Sequence, residues 1–408
     1  MDGWNLLILF LLFAGHCELM AFWINRIHAL HVSRGWLTLS QRVHDLLVIG
    51  FLPYVVLRFG VSPPYLVRGG SWLELPPFIS AYFALCGAGL VSLAIAIIRR
   101  QLRPAEPKTR SEIQDVAAST DGDVTGPGWR GRFASMRGNE VTTIEINEKR
   151  ILCPRLPAAW EGLSIAHISD VHFYGPITLE YFQFVFRHVQ EMRADMICFT
   201  GDLLDDPRRV DWIVDTFGTL TAPLGCWFIL GNHDQLIGDV HGREKLIALG
   251  WQDLGGQSAL LKEGARSIWL GGDESPWFGK PFDPTDSANA DFRILLSHTP
   301  DHFPRAKRLG IDLVLAGHNH GGQVCLPLIG PVYSPSRYGV RYAGGTYRSG
   351  PSRDRTSVMH VSRGISAKRP LRWNCPPEVT RLILTASETS EILARDIQTR
   401  QPQHHSQK

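Results

Sequence analysis

At 408 residues the chain is too long for one ordinary domain, so two regions are expected. A formal charge of +3, with no long Lys/Arg run, argues against nucleic acid as a partner. Seven scattered cysteines, none in a CxxC pair, argue against a disulfide framework or a thiolate-held zinc and read as buried reduced thiols.

Residues 1–103 read as a membrane region with two or three transmembrane helices. Asn5 to Ile24 is apolar apart from Asn5, His16 and Glu18, long enough to cross a bilayer. The charged residue before it is Asp2, with no basic one, and no small-x-small site follows, so an uncleaved anchor is expected rather than a signal peptide. Leu46 to Leu57 has only 12 uncharged residues and contains Pro53; it can span, re-enter or lie at the interface. Phe78 to Ile98 is 21 residues without charge, closed by Arg99, Arg100 and Arg103. With three spans, Arg26, Arg34 and Arg42 share a side with those arginines and with Lys108 and Arg110, leaving Arg58 and Arg68 near the other. The positive-inside rule then puts everything after the last span in the cytoplasm; with two spans the charges balance and the rule is silent.

Residues 104–140, rich in Pro, Gly, Ser, Asp and Thr, read as a flexible linker, and 389–408, which include His404 and His405, as a disordered tail. Between them, 141–388 alternates short β-branched runs with helical stretches, the pattern of a layered α/β domain. Strands are expected at Leu163–Ser169, Met196–Thr200, Cys226–Leu230, Ser267–Leu270, Phe292–Ser297, Asp312–Ala316, Val358–Val361 and Val379–Leu384. Helices are expected near 178–192, 210–220 and 240–249.

Five of these strands end in polar clusters: Asp170-Val-His172, Gly201-Asp202-Leu-Leu-Asp205, Gly231-Asn232-His233-Asp234, Ser297-His298 and Gly317-His318-Asn-His320. Ligands of open α/β sheets gather at the carboxyl ends of strands, so these five ends can converge on one cleft. Two residues two apart on an extended strand end face the same way, which suits Asp170 with His172 and His318 with His320. Carboxylate, imidazole and amide donors without thiolate favour two divalent ions drawn from Mn, Fe, Zn or Co, and the two oxygens of Asp202 can bridge them. Each cluster alone is ordinary turn chemistry; five in series after apolar strands are not.

The order Asp-x-His, Gly-Asp, Gly-Asn-His-Asp, His, Gly-His-x-His resembles the calcineurin-like metallophosphoesterase family over roughly residues 160–385. The resemblance implies a four-layer sandwich of two mixed β-sheets flanked by helices. It implies that Asp170, His172, Asp202 and His320 hold one metal, and Asp202, Asn232, His298 and His318 the other. His233 is then the catalytic residue beside the substrate phosphate, oriented by Asp205. The stretch His320-Gly-Gly-Gln323, Leu326-Pro-Leu-Ile-Gly-Pro and Pro335-Ser-Arg-Tyr-Gly, with Pro370-Leu-Arg-Trp-Asn-Cys-Pro-Pro-Glu, is similar to the membrane-associated YaeI/YkuE-type bacterial phosphodiesterases. That group includes enzymes acting on UDP-2,3-diacylglucosamine in lipid A synthesis, which implies an integral protein of a bacterial inner membrane.

Two cations clamp a phosphoryl group and lower the pKa of a bridging water, the expected in-line nucleophile. The expected substrate is a lipid-linked phosphodiester or pyrophosphate, with Asn232, His233, Arg337 and Arg341 as substrate contacts, because arginine suits phosphate. A soluble phosphodiester such as a cyclic nucleotide is the alternative within enzymology, and a non-catalytic metal-bearing module the alternative outside it.

Overall fold

The computed structural model describes residues 2–30, 32–103, 108–120, 122–237, 240–287, 289–350, 356–366 and 369–387; the expected tail lies outside them. The chain forms two units, Met1–Ala105 with Leu326–Arg341, and Glu106–Cys325 with Tyr342–Lys408.

The first unit is built on α1 (Gly3–His28), α2 (Arg34–Val55) and α3 (Pro77–Gln101). All three segments are long and apolar enough to cross a membrane, α2 doing so together with a π-helical turn to Gly60. The middle segment is longer than its 12-residue uncharged run because Ser33 Oγ caps the helix at Trp36 N and the amphipathic stretch after it extends the span. Large apolar side chains such as Phe10, Ile49 and Val91 point outward, as lipid-facing residues do. Gly15 and Gly89 mark where α1 and α3 touch: a Cβ on Gly15 would sit 1.9 Å from Cys86 O, and one on Gly89 2.4 Å from Gly15 O. The segment Leu326–Arg341 joins this unit through Ser334 N, which donates to Asn25 Oδ1 at 2.9 Å.

Among the described residues the chain has fifteen strands or strand fragments, nearly all in the second unit. They are β1 (Lys108–Asp115), β2 (Thr143–Leu152), β3 (Ser164–Ile168), β4 (Met196–Thr200), β5 (Cys226–Ile229), β6 (Gln252–Asp253), β7 (Ser258–Glu263) and β8 (Arg266–Asp273). Then come β9 (Phe292–Ser297), β10 (Leu313–Ala316), the fragments β11 (Cys325–Leu326) and β12 (Gly330–Pro331), β13 (Gly345–Ser349), β14 (Ser357–Val361) and β15 (Glu378–Thr385). Fragment β12 and the end of β11 belong in sequence to the first unit. One sheet runs β1-β2-β15-β3-β4-β5-β6, the other β13-β14-β10-β9-β8-β7, and both mix parallel and antiparallel pairs.

Period-two alternation explains the layers. In β3, Ile165 faces the layer between the sheets, whereas Ala166 and Ile168 join the core under the helices. In β4, Met196 and Cys198 face inward, and Ile197 and Phe199 outward. The outer face of the first sheet packs on α4 (Leu179–Glu191), whose Phe182, Val185 and Val189 recur at helical spacing. The outer face of the second packs Phe303 and Ala306 of a short helix, Phe303–Arg308. The result is the expected four-layer arrangement of helices, sheet, sheet and helices.

One sequence expectation needs correction. Much of the stretch read as a flexible linker has regular structure: β1 pairs antiparallel with β2, followed by the helical turns Val116–Ser119 and Trp129–Ala134. Its few apolar residues decide this, since Val116, Val124 and Ala134 are buried in the core beneath α4.

Candidate metal centre

The strand ends converge, but Asp170 with His172 and His318 with His320 do not stand on extended backbone as expected. Asp170 and His172 follow β3, Asp202 and Asp205 follow β4, and Asn232 and His233 open the helical turn Asn232–Ile237 after β5. His298 follows β9, and His318 and His320 follow β10. Five donors have left-handed backbone: Asp170 (φ 53°), His172 (46°), Asp202 (60°), His318 (71°) and His320 (49°). Each such residue costs on the order of 1 kcal/mol, so five on one rim require loops that over-determine their conformation. Asp234 supplies part of that constraint: its buried carboxylate accepts from Asp202 N, Leu203 N, Leu204 N and Gly231 N at 2.8–3.1 Å, tying two loops together. Gly317 permits another close approach, since a Cβ there would lie 1.9 Å from Ser169 Oγ.

Asp170, His172, Asp202 and His320 each offer a donor atom within one 4.8 Å cluster, and Asp202, His298 and His318 form a second that shares Asp202. His172 Nε2 lies 3.4 Å from Asp202 Oδ2 and 3.1 Å from His320 Nε2, while His298 Nε2 lies 3.3 Å from Asp202 Oδ1. His298 Nε2 also lies 3.1 Å from His318 Nδ1 and 3.0 Å from Asn232 Oδ1. Two ligands at about 2.1 Å from one ion are about 3.0–3.4 Å apart at right-angled to tetrahedral geometry, so these spacings fit ions. The outward ring nitrogens are already engaged: His172 Nδ1 with Asp205 Oδ2 at 2.6 Å, His298 Nδ1 with Thr200 O at 2.7 Å, and His320 Nδ1 with Ser366 O at 3.1 Å. Donation outward leaves the inward nitrogen lone pairs free for a metal. The buried Asp/His cluster is thus able to hold a dinuclear site.

Electrostatics agree with a site built for cations. Burial raises the Asp170 carboxyl, and the neighbouring Asp202 adds to that rise. Asp202 itself is held well below the usual carboxylate range, since His298, His233 and His172 outweigh its burial. Burial alone would lower His172 and His298, but Asp205 and Asp202 respectively push both up to about 9. Carboxylates and imidazoles this close stabilise one another's charge, which divalent cations would replace.

Asp205 sits between two imidazoles, its Oδ1 2.5 Å from His233 Nδ1 and its Oδ2 2.6 Å from His172 Nδ1. It therefore orients a candidate ligand as well as the candidate catalytic histidine. The His233 side chain remains 21 % exposed, where every imidazole of the shared clusters is more deeply buried. Arg337 and Arg341 belong to the unit of the apolar helices, not to the unit of these donors.

Three further residues carry no warning in sequence. Arg372 is fully buried and donates to the carbonyls of His320, Arg363 and Ser366, backing the His320 loop. The Trp277 ring stands 5.3 Å from that of His298 and 5.1 Å from that of His318. Ser169, next to Asp170, donates to its Oδ2 at 2.6 Å.

Comparison with known proteins agrees with the geometry. The pattern of the family described as calcineurin-like phosphoesterase matches residues 163–322, which contain every candidate metal donor. The chain is 32 % identical to the uncharacterized metallophosphoesterase YkuE of Bacillus subtilis, over 63 % of this chain and 91 % of that protein. It is 30 % identical to phosphodiesterase YaeI of Escherichia coli, over 54 % of this chain and 81 % of that protein. With UDP-2,3-diacylglucosamine pyrophosphatase LpxG of Chlamydia trachomatis it shares 26 % identity, over 55 % of this chain and 84 % of that protein.

Proposed function

Because the chain belongs to the calcineurin-like metallophosphoesterase family and is a metal-dependent phosphoester hydrolase, we propose that it cleaves the pyrophosphate of a lipid-linked nucleotide such as UDP-2,3-diacylglucosamine. The observation that carries the chemistry is the pair of buried donor clusters sharing Asp202. In this reading Asp170, His172, Asp202 and His320 hold one divalent ion, and Asp202, Asn232, His298 and His318 the other. Bound there, two cations would supply charge stabilisation on the phosphoryl oxygens and a water of lowered pKa.

The protein's own groups do the rest. Asp205 fixes the His233 tautomer through Nδ1, leaving Nε2 to meet the substrate on the exposed side of the site. There it can neutralise developing charge or protonate the leaving oxygen. The completeness of the donor set favours turnover over a non-catalytic binding role.

The lipid part of the reading rests on three apolar helices and on the LpxG relative. The segment with Arg337 and Arg341 shares a unit with those helices, which suits contact with a phosphorylated head group. The arginine-rich side, with Arg26, Arg42, Arg99, Arg100 and Arg103, favours a cytoplasmic catalytic unit at the inner membrane of a bacterium.

Purified full-length protein, loaded with Mn²⁺ in detergent, tests this by product analysis. UDP-2,3-diacylglucosamine should yield UMP and the acylated sugar 1-phosphate faster than cyclic AMP yields AMP. Faster turnover of cyclic AMP would replace the lipid reading with a soluble phosphodiester one.

A further inference from the structure

Behind Asp170 a set of buried polar side chains crosses the layer between the two sheets. Lys149 of β2 is 1 % exposed, and His360 of β14, His167 of β3, Thr200 of β4 and Ser169 are all 0 % exposed. They are joined without a gap. Lys149 Nζ lies 3.1 Å from His360 Nε2, and His360 Nδ1 lies 2.9 Å from His167 Nδ1. His167 Nε2 lies 3.0 Å from Thr200 Oγ1, Thr200 Oγ1 lies 2.8 Å from Ser169 Oγ, and Ser169 Oγ lies 2.6 Å from Asp170 Oδ2.

The ends of this series set the direction of every bond in it. A carboxylate can only accept, so the Ser169 hydroxyl donates to Asp170. Ser169 Oγ then accepts from Thr200, whose oxygen must accept from His167 Nε2–H. A neutral His167 therefore presents a bare Nδ1, which accepts from His360 Nδ1–H. The bare Nε2 of His360 finally accepts from Lys149, whose ammonium can only donate. Both imidazoles are held neutral as this requires. Burial, then the charge of Lys149, lowers His360 to about 3; burial, then His360, holds His167 well below its usual value. The ammonium is matched locally: Lys149 and Arg363 face Glu378 and Glu145, two cations against two carboxylates.

We propose that Lys149, His360, His167, Thr200 and Ser169 form a one-way donor relay that positions Asp170 for the ion it holds, with Lys149 and His360 acting as remote positioning residues. The relay engages Oδ2 of Asp170; His318 N donates to both carboxylate oxygens at 3.0 Å, and Oδ1 also faces His320 Nε2, 3.4 Å away, and His172 Nε2, 3.9 Å away. Hydrogen bonds in series polarise one another, so loss of the far donor weakens the last bond at Asp170. Outer-shell partners of metal ligands carry about 10–100-fold in metal affinity. The inference rests on the two-ion site proposed above.

The test is Mn²⁺ titration of the metal-stripped full-length protein in detergent, comparing wild type with Lys149→Met, Ser169→Ala and the double variant. Each single change should weaken one Mn²⁺ by about 10-fold and leave the second within about 2-fold. The double variant should be no weaker than about 10-fold, because both changes cut the same series. Multiplication to about 100-fold, equal loss at both ions, or no loss in either single variant would overturn the relay. Thr200→Val, which keeps side-chain shape, breaks the middle link and must reproduce the selective loss if Lys149→Met does not fold. A wild type that fails to bind two Mn²⁺ ions would instead overturn the site itself.

Discussion

The two ends of the inter-sheet layer are built from the same strand faces and have opposite chemistry. Toward one end, β2, β3, β4, β14 and β15 present Ile151, Ile165, Met196, Val358 and Leu382, all in one dry core. A step or two along the same faces they present Lys149, His167, Thr200, His360 and Thr380, all buried and polar. The dry end gains stability by removing apolar surface from water, about 25 cal/mol per Å². The polar end gains little net stability from hydrogen bonds that replace those to water, but it holds donors in fixed geometry under the rim where the candidate ligands stand. One sandwich thus separates the task of staying folded from that of holding a charged site.

Substitutions at the two ends should therefore fail in different ways. The largest effect is expected at the rim: Asp202→Ala removes the shared donor and should lower turnover by at least about 10⁴-fold, with loss of bound metal by elemental analysis. Wild-type activity in that variant would remove the two-ion account. His233→Ala should cost about 10²–10³-fold in kcat while metal content stays at the wild-type level. Loss of metal there would make His233 a ligand, not an acid.

At the dry end, Leu382→Ala should destabilise the fold by about 2–5 kcal/mol in urea unfolding, with Mn²⁺ affinity unchanged at temperatures where it is folded. A selective drop in affinity would show that the two ends are not separate. The smallest effect is a pH dependence. His167 and His360 have folded pKa values below their unfolded value near 6.5, His360 at about 3, so they contribute stability above pH 6.5 that is lost as pH falls toward their folded values. Metal-free protein should lose about 2 kcal/mol from His360 between pH 6.5 and 5, His167 acting in the same direction, and His360→Phe should show a shallower slope. Stability rising over that interval would contradict neutral imidazoles and the direction of the relay.

Much of this was legible in the sequence, and the reason differs by element. Strands β3, β4, β5, β9, β10, β14 and β15 announce themselves as short apolar runs, because both faces of each are covered. The donors were legible because each follows such a run directly. Strand β2 was not: Thr-Ile-Glu-Ile-Asn-Glu-Lys-Arg-Ile-Leu looks half exposed, yet Glu145, Asn147 and Lys149 are buried. Their partners, Glu378, His360 and Arg363, lie more than 200 residues away, beyond any local pattern. Arg372 was hidden too, because its role depends on the His320 loop it backs, 52 residues earlier in the chain. In the first unit, Gly15 and Gly89 gain meaning only once α1 and α3 are in contact.

The most direct test of the central claim is anomalous diffraction from crystals of the Mn²⁺-loaded full-length protein. Two Mn²⁺ peaks should appear about 3.5–4 Å apart with Asp202 between them, one beside Asp170, His172 and His320 and the other beside Asn232, His298 and His318. A single peak, or two peaks without Asp202 in common, would contradict it.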